Sequence, residues 1–331
     1  MIGRPSSRVV VCGLAAVLAA ATAMSPMASV QTFAQATTQD VPKTAPTKLP
    51  AIDPIPRPKF KGEFQLRAAD AVNGPDEQWT TYVSGPIVRN VHVATLIPLL
   101  PKRGKTSGKS GGTALIYAPG GGFRYLDMNM AEPQRLADLG ITVFVLKYRT
   151  VPTDRDGPAF LTDLYKFLFG VVAQNAAPGA DAAKPLHASD EAREDGLAAV
   201  RLIRSRASEW HIDPAKIGFI GGSAGAMTAI DAAYTADASA RPNFVAALFG
   251  PKKLDPVPAS APPLFVAASN DDPLFPGASE GIVAAWSKAG RPVEAHFYER
   301  GGHGLAKGTT GEGWFASFAA WMQMHGWLAA K

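Results

Sequence analysis

Short, nearly continuous apolar runs recur along most of the chain, separated by segments with helical periodicity. The runs are TALIYAP, ITVFVLKY, KIGFIGG, FVAALFG, PLFVAAS and VEAHFY, and an earlier run, VHVATLIPLL, alternates. Continuous apolar runs of this length are typical of strands that are covered on both faces. Between and after them, DEAREDGLAAVRLIRSRASEW and GWFASFAAWMQMHGWL have apolar residues at helical spacing. The pattern therefore predicts an α/β fold with a mostly parallel central sheet flanked by helices.

About forty residues, 150–189, interrupt this alternation. They include AFLTDLYKFLFGVV, in which Leu161, Leu164, Leu168 and Val171 recur at helical spacing. An insertion of this size forms either a cap above a site or a peripheral helix without substrate contact, and the pattern fits both. We therefore predict a helical insertion after the fourth strand of the sheet.

The N-terminal segment is typical of an export signal. Arg4 and Arg8 precede VVVCGLAAVLAAATAM, an apolar run of signal-peptide length that is short for a membrane span. Small residues favour cleavage after Ala23 or Ala36, and an uncleaved anchor is the alternative. We expect residues 1–36 to be a signal peptide and the protein to be periplasmic or secreted.

The following segment, 37–61, contains six prolines and few apolar residues. Such a composition is typical of an extended, solvated chain, so we predict a disordered linker there and a single folded domain over 62–331. The only cysteine, Cys12, lies in the export segment. A mature chain without cysteine forms no disulfide.

Charge and glycine spacing argue against nucleic-acid and nucleotide binding. The formal net charge is +5, and removing the two arginines of the export segment from the 33 basic residues leaves 31 against 28 acidic ones, without a basic stripe. GKTSGKS has three residues between Gly104 and Gly108, where a phosphate-binding loop needs four. GFIGGSAG has Ile220 where a dinucleotide-binding loop has its first glycine. We expect no nucleic-acid partner.

GGSAG, residues 221–225, has the Gly-x-Ser-x-Gly pattern between a predicted strand and a predicted helix. In that context the pattern indicates a nucleophile elbow, a turn so tight that Gly221 and Gly225 must lack side chains. The turn would present the hydroxyl of Ser223 above the sheet. An ordinary strand–turn–helix is the alternative, and the elements on either side favour the elbow.

A serine nucleophile needs a base, and the base needs an acid that orients it. After an elbow, both follow on loops behind later strands. ERGGHGLAK supplies His303, and AASNDDPLFP supplies Asp271 and Asp272. We favour Asp272 as the orienting acid from its spacing to Phe275-Pro276, and we expect Asp271 to accept hydrogen bonds from local backbone. The other histidines are expected to be structural or surface residues: His92, His187, His211, His296 and His325.

Two glycine-rich loops can serve one developing charge. Acyl transfer places negative charge on a carbonyl oxygen, which preorganised N–H groups stabilise. Ala224, directly after the serine, supplies one donor, and PGGGF supplies Gly121 and Gly122, which approach a substrate closely because they lack a Cβ. This chemistry needs no metal or organic cofactor, and we expect none.

From about residue 85 onward the chain resembles the α/β-hydrolases, in particular the acetylxylan esterase/feruloyl esterase-like branch of serine esterases. The resemblance rests on PGGGF, VFVLKYR, AAVRLIRSRASEWHIDPAKIGFIGGSAGA, DDPLFP and GGHG before a Trp-containing terminal helix. It implies the α/β-hydrolase fold and short acyl groups, such as acetyl, on a carbohydrate alcohol. Asp195 matches an acid of the family that we interpret as a structural hydrogen-bond partner.

The chain departs from that branch at two places. Ala226 and Met227 stand where the branch commonly continues with Gly-Gly-His, and the insertion over 150–189 is longer than the branch implies. Both features border the acyl and leaving-group pockets, so they bear on the identity of the substrate.

These observations predict an exported serine esterase that acts on a small-molecule or carbohydrate ester and keeps no stable membrane partner after signal cleavage. Ser223, His303 and Asp272 would be catalytic. One alternative is a peptidase similar to the prolyl oligopeptidases, although the segment before the sheet is too short for their propeller domain. The other is a catalytically silent binding protein on the same scaffold.

Overall fold

Strands alternate with helices in the part of the chain that the computed structural model describes, which comprises residues 49–67, 76–82, 85–101, 111–176, 188–250 and 256–329. The strands are β1 (Asp53–Pro54), β2 (Phe64–Gln65), β3 (Gln78–Tyr82), β4 (Gly85–Arg89), β5 (Thr95–Leu99), β6 (Ala114–Ala118), β7 (Leu126–Asp127), β8 (Thr142–Lys147), β9 (Ile217–Gly222), β10 (Phe244–Leu248), β11 (Leu264–Ser269) and β12 (Val293–Tyr298). The α-helices are α1 (Ala131–Ala137), α2 (Gly157–Ala176), α3 (Asp190–Ser205), α4 (Ala224–Ala233), α5 (Ala278–Lys288) and α6 (Trp314–Met324). Two short 3₁₀ helices span Ala207–Trp210 and Thr310–Gly313.

The larger of the two sheets in the described residues has the strand order β12-β11-β10-β9-β6-β8-β5-β2. The strands from β12 to β8 are parallel, β5 is antiparallel to β8, and the edge strand β2 is antiparallel to β5. In such sheets the loops that bind ligands follow the carboxyl ends of the strands. Because β9 lies between β6 and β10, loops from several strands can meet at its carboxyl end.

Helices cover both faces of the larger sheet, which explains the continuous apolar runs. Successive residues of a strand point to opposite faces, so Phe219 joins the core beneath α3, α4 and α5, and Ile220 joins the core beneath α1 and α6. All six residues of β9 are buried, as are all residues of β8, β10 and β11. The centre of the sheet is therefore a rigid support for the loops at its end.

Helix α2 occupies the insertion after β8, the fourth strand of the larger sheet in chain order. Its buried residues Phe160, Leu161, Leu164 and Tyr165 pack around Ile87 of the smaller sheet. This contact uses the helical spacing seen in the sequence. Within the described residues, no helix has the length and apolarity needed to cross a lipid bilayer.

The predicted disordered linker over 37–61 is wrong for its described part. Residues 49–61 pack on the smaller, antiparallel sheet, whose order is β1-β3-β4-β7, and β1 pairs with β3 at its edge. The N–H of Ile55 donates to the carbonyl of Trp79 at 2.9 Å, and Ile52 packs against the α2 cluster. An edge strand tolerates prolines because one side of it needs no hydrogen-bond donor. Residues 1–48, including the predicted signal peptide, lie outside the described residues.

Asp195, on α3, is fully buried and holds the chain beyond β8. Its carboxylate accepts hydrogen bonds from the backbone N–H of Arg149 at 2.9 Å and from that residue's Nε at 3.0 Å, and it pairs with Arg67 at 3.1 Å. Several charge-assisted hydrogen bonds compensate for the burial of this carboxylate. Asp195 thus has the structural contacts expected of it.

Candidate active site

Ser223 forms the turn between β9 and α4, with φ 54° and ψ −120°. A positive φ is unfavourable for a residue with a side chain, and such strain concentrates at functional sites. The N–H of Ser223 donates to the carbonyl of Leu248 on the neighbouring strand at 3.0 Å. Strand β9 therefore ends in a strained turn that is fixed to the end of β10.

The glycines on either side of the serine are required by close backbone contacts. A Cβ on Gly225 would overlap the carbonyl oxygen of Ala118 at the end of β6, and a Cβ on Gly221 would overlap the backbone of Gly225. Neither position has room for a side chain. The arrangement is that of the nucleophile elbow predicted from GGSAG.

His303 and Asp272 meet Ser223 at the carboxyl end of the sheet. The Nε2 atom of His303 lies 2.9 Å from the Oγ of Ser223, and its Nδ1 lies 2.9 Å from the Oδ2 of Asp272. Asp272 is almost completely buried, and its Oδ1 accepts the N–H groups of Leu274 at 2.9 Å and Phe275 at 3.2 Å. The structure thus brings together three side chains that the sequence separates by up to 80 positions.

Asp271 has a different function in the fold from the one expected. Its Oδ1 accepts the N–H groups of Gly301 at 2.9 Å and Gly302 at 2.8 Å, directly before His303. These groups are not local backbone but belong to the histidine loop, about thirty residues further along the chain. The two adjacent aspartates therefore have different contacts: Asp272 contacts the imidazole of His303, and Asp271 fixes the loop that carries this histidine.

The glycine loop after β6 lies against Ser223. A Cβ on Gly120 would be 3.4 Å from the Cβ of Ser223. Gly121 and Gly122 have φ values of 136° and 59°, which favour glycine. In the described part of the chain, the N–H groups of these two glycines have no hydrogen-bond partner. The N–H of Ala224 is at the first position of α4, where no intrahelical acceptor exists.

Two aromatic rings, which the sequence analysis did not identify, flank the imidazole of His303. The ring centroids of Phe249 and Phe275 lie 5.1 Å and 5.4 Å from that of the imidazole. Phe249 has a φ of 38°, unfavourable for an aromatic residue. A Cβ on Gly222 would overlap the Phe249 ring. The sequence held one signal for Phe249: Gly222, the second glycine of GGSAG, lacks a side chain and so leaves the space that the Phe249 ring fills.

Sequence reasoning also missed a half-buried carboxyl group at the base of the glycine loop. Tyr117, near the end of β6, donates its hydroxyl to the Oε1 of Glu132 on α1 at 3.0 Å. Burial raises the pKa of the Glu132 carboxyl to about 7, with Asp127 adding to the rise, while the Tyr117 hydrogen bond and Arg135 oppose it. The Glu132 carboxyl therefore keeps its proton to a higher pH in the folded protein than in the unfolded chain.

Glu132→Gln is expected to become more stabilising relative to wild type as pH rises from about 4.5 to 7. Below this window both states bind the proton. Within it the unfolded state loses the proton first, so the raised pKa lowers wild-type stability by up to about 3 kcal/mol. Urea unfolding at several pH values measures the difference. Glu280→Gln, at an exposed position of α5, is the control. If the free energy of unfolding of Glu132→Gln differed from that of wild type by a constant amount from pH 5 to 8, the raised pKa of Glu132 would be contradicted.

The other histidines do not take part in this cluster where the structure describes them. His296 contacts Glu294 at 2.9 Å on β12, and His325 stacks on Trp327 with ring centroids 4.6 Å apart. His187 lies outside the described residues. The described residues contain no group of three or more acidic, histidine or cysteine side chains arranged to hold a metal ion.

Comparison with known proteins shows which fold this site belongs to. A family model described as an alpha/beta hydrolase fold matches residues 183–257, which include the elbow. No curated protein sequence matches the chain significantly. Similar solved structures include an acetyl ester-xyloside bifunctional hydrolase from Caldicellulosiruptor lactoaceticus, with a TM-score of 0.53 and 22% identity over 72% of this chain and 91% of that chain.

Two further structures have the same architecture. Thermogutta terrifontis esterase 2, phosphonylated by cyclosarin, has a TM-score of 0.56 and 17% identity over 83% of this chain and 98% of that chain. MGS-M1, an alpha/beta hydrolase enzyme from a Medee basin deep-sea metagenome library, has a TM-score of 0.52 and 22% identity over 76% of this chain and 98% of that chain. The chain has the α/β-hydrolase fold, and the predicted fold class is confirmed.

Proposed function

We propose that the protein is a serine esterase that hydrolyses carboxylic esters through an acyl-enzyme intermediate. The observation that carries this proposal is the continuous hydrogen-bonded series Ser223–His303–Asp272, which ends beside unpartnered amide donors. Fold alone does not determine chemistry, since many functions use this scaffold. A nucleophile, a base and an orienting acid at hydrogen-bonding distance are the arrangement that acyl transfer needs.

In the proposed first half-reaction, the Oγ of Ser223 attacks the ester carbonyl carbon while the Nε2 of His303 takes its proton. Asp272 keeps the other proton of the imidazole on Nδ1 and stabilises the imidazolium that forms. The tetrahedral intermediate collapses, His303 protonates the departing alcohol, and the acyl group remains on Ser223. Water then repeats the attack with His303 as base, which releases the acid and restores the serine.

The N–H groups of Gly121, Gly122 and Ala224 are the proposed donors to the carbonyl oxygen as it becomes negative. Losing one such donor typically raises the barrier by about 3 kcal/mol. A Cβ on Gly121 would overlap the carbonyl oxygen of Tyr125, so the loop conformation depends on this glycine. The loop is also closed by hydrogen bonds from the N–H groups of Arg124 and Tyr125 to the carbonyl of Gly121, at 3.0 and 3.2 Å.

We extend the proposal to substrates with short acyl groups, acetyl above all, on a carbohydrate or another small alcohol. The resemblance to the acetylxylan esterase/feruloyl esterase-like branch supports this choice. One similar structure is titled as an acetyl ester-xyloside hydrolase, and Thermogutta terrifontis esterase 2 was solved with butyrate and with propionate bound. Export to the periplasm or the medium is part of the same proposal and rests on the sequence of residues 1–36.

The purified protein is expected to hydrolyse p-nitrophenyl acetate and to lose activity as the acyl chain lengthens to octanoate. Acetylated xylo-oligosaccharides should release acetate, which can be quantified enzymatically. A fluorophosphonate probe should label one residue per chain, identified as Ser223 by peptide mass spectrometry. Absence of both labelling and turnover would favour a silent binding protein. Cleavage of peptides in preference to esters would favour a peptidase.

A further inference from the structure

Arg124 follows the glycine loop and lies beside one of the proposed oxyanion donors. Its guanidinium carbon lies 4.5 Å from the centroid of the Phe167 ring on α2. The same ring contacts the loop, since a Cβ on Gly122 would be 3.1 Å from its Cε1. One aromatic ring therefore contacts both Gly122 and the Arg124 guanidinium. Helix α2 has here a direct contact with the candidate site, which favours the cap interpretation of the insertion.

The guanidinium of Arg124 has no anionic partner in the described part of the chain. Its Nε is buried without a hydrogen-bond acceptor, and its terminal nitrogens make no hydrogen bond or ion pair with a described residue. Seven other arginine side chains do have acceptors. Four pair with a carboxylate and three donate to backbone carbonyls: Arg57 with Glu63, Arg149 with Asp195, Arg201 with Asp237, Arg206 with Glu209, and Arg89, Arg204 and Arg291 with carbonyls. A buried donor without an acceptor needs a physical reason, and a bound ligand is one that fits a residue two positions beyond Gly122.

We propose that Arg124 binds a carboxylate of the substrate, so that the site prefers esters carrying a negative charge a few bonds from the ester carbonyl. This inference rests on the proposed esterase function and names the substrate class within it. The guanidinium is a planar set of donors that matches a carboxylate, and stacking on an aromatic ring fixes its plane. The Phe167 ring excludes water from one face, which strengthens the attraction.

The charge preference is measured with matched ester pairs at low ionic strength. Monoethyl succinate against diethyl succinate places the carboxylate on the acyl side, and 4-acetoxybenzoate against its methyl ester places it on the alcohol side. Each kcat/KM is divided by the rate of alkaline hydrolysis of the same ester. The wild type should prefer the anionic member of at least one pair, and the preference should fall as salt is added.

Arg124→Gln is expected to lower kcat/KM for the preferred anionic ester by about tenfold or more, in line with the loss of a charge-assisted hydrogen bond. Its neutral partner should change by less than about twofold, and Arg124→Lys should retain an intermediate preference. Arg135→Gln is the matched control, because the Arg135 guanidinium also lies over a phenyl ring, that of Phe315 at 3.8 Å. It should leave the preference unchanged.

The outcomes separate the two proposals. If the wild type hydrolyses the neutral esters but shows no preference in either pair, or if Arg124→Gln lowers both members equally, the carboxylate subsite is wrong and the esterase function stands. If the wild type hydrolyses none of the four esters and resists the fluorophosphonate probe, the esterase proposal itself fails. Thermal unfolding of each variant tests whether it is folded, so that a lost preference for the anionic ester can be distinguished from a loss of the folded structure.

Discussion

Ser223→Ala is expected to lower kcat for p-nitrophenyl acetate by about 10⁶-fold and to abolish labelling by a fluorophosphonate. The hydroxyl lies 2.9 Å from the Nε2 of His303, and without it the imidazole has no nucleophile to deprotonate. The amide donors would remain, so a residual rate above that of water is expected from substrate binding and charge stabilisation alone. Steady-state turnover and mass spectrometry of the treated protein measure the two effects.

Ser317→Ala is the control for this substitution. The Ser317 hydroxyl is also partly buried and hydrogen-bonded, to the hydroxyl of Tyr298 at 3.1 Å, but it lies on α6 and not at the elbow. It should leave kcat within about twofold, as expected for a substitution away from the reacting atoms. Turnover by Ser223→Ala that a fluorophosphonate still titrates would identify another nucleophile and remove the basis of the proposed mechanism.

The elements that the sequence predicted well are those governed by local rules. The interior apolar runs, such as KIGFIGG and PLFVAAS, became buried strands because both faces of a parallel sheet must be apolar. VEAHFY became the edge strand β12, in which no residue is buried. The elbow was also readable, since the steric requirement at Gly221 and Gly225 comes from neighbouring backbone. Chain order after the elbow then directed attention to the loops with Asp272 and His303.

The features that the sequence did not predict depend on contacts between distant segments. The proline-rich residues 49–61 resemble a solvated linker, and only pairing with β3 shows that they form part of the fold. Arg124 has no sequence pattern that marks it, and the only signal for Phe249 is a distant glycine, Gly222. They matter because the ring of one reaches His303 and the guanidinium of the other reaches a helix 43 residues further along.

The strain and the rigidity of the site are related. Ser223 and Phe249 both have positive φ values, and both follow strands whose residues are completely buried. Backbone strain of this kind costs about 1–3 kcal/mol at each residue and persists only where the surrounding structure over-determines the conformation. The interior strands β9 and β10 fix these conformations, so the Ser223 hydroxyl and the Phe249 ring beside the His303 imidazole are held in place before any ligand binds.

Asp272→Asn is expected to lower kcat by about 10⁴-fold while the fold stays intact. The Oδ1 of Asp272 accepts two backbone N–H groups, from Leu274 and Phe275, so the amide oxygen of asparagine must occupy that position. Its NH₂ group then faces the Nδ1 of His303 and requires this nitrogen to be an acceptor. The proton of the imidazole moves to Nε2, which can no longer accept the proton of Ser223.

Asp271→Asn is the matched comparison and should lower kcat by less than about tenfold. Its remaining amide oxygen can still accept the N–H groups of Gly301 and Gly302, which the Asp271 carboxylate now holds at 2.9 and 2.8 Å. The cost is that of a charge-assisted hydrogen bond replaced by a neutral one, acting on the position of the loop and not on the tautomer of His303. Kinetics with p-nitrophenyl acetate and thermal unfolding of both variants distinguish these causes. A larger kcat loss in Asp271→Asn than in Asp272→Asn, with both proteins folded, would assign the orienting acid to Asp271.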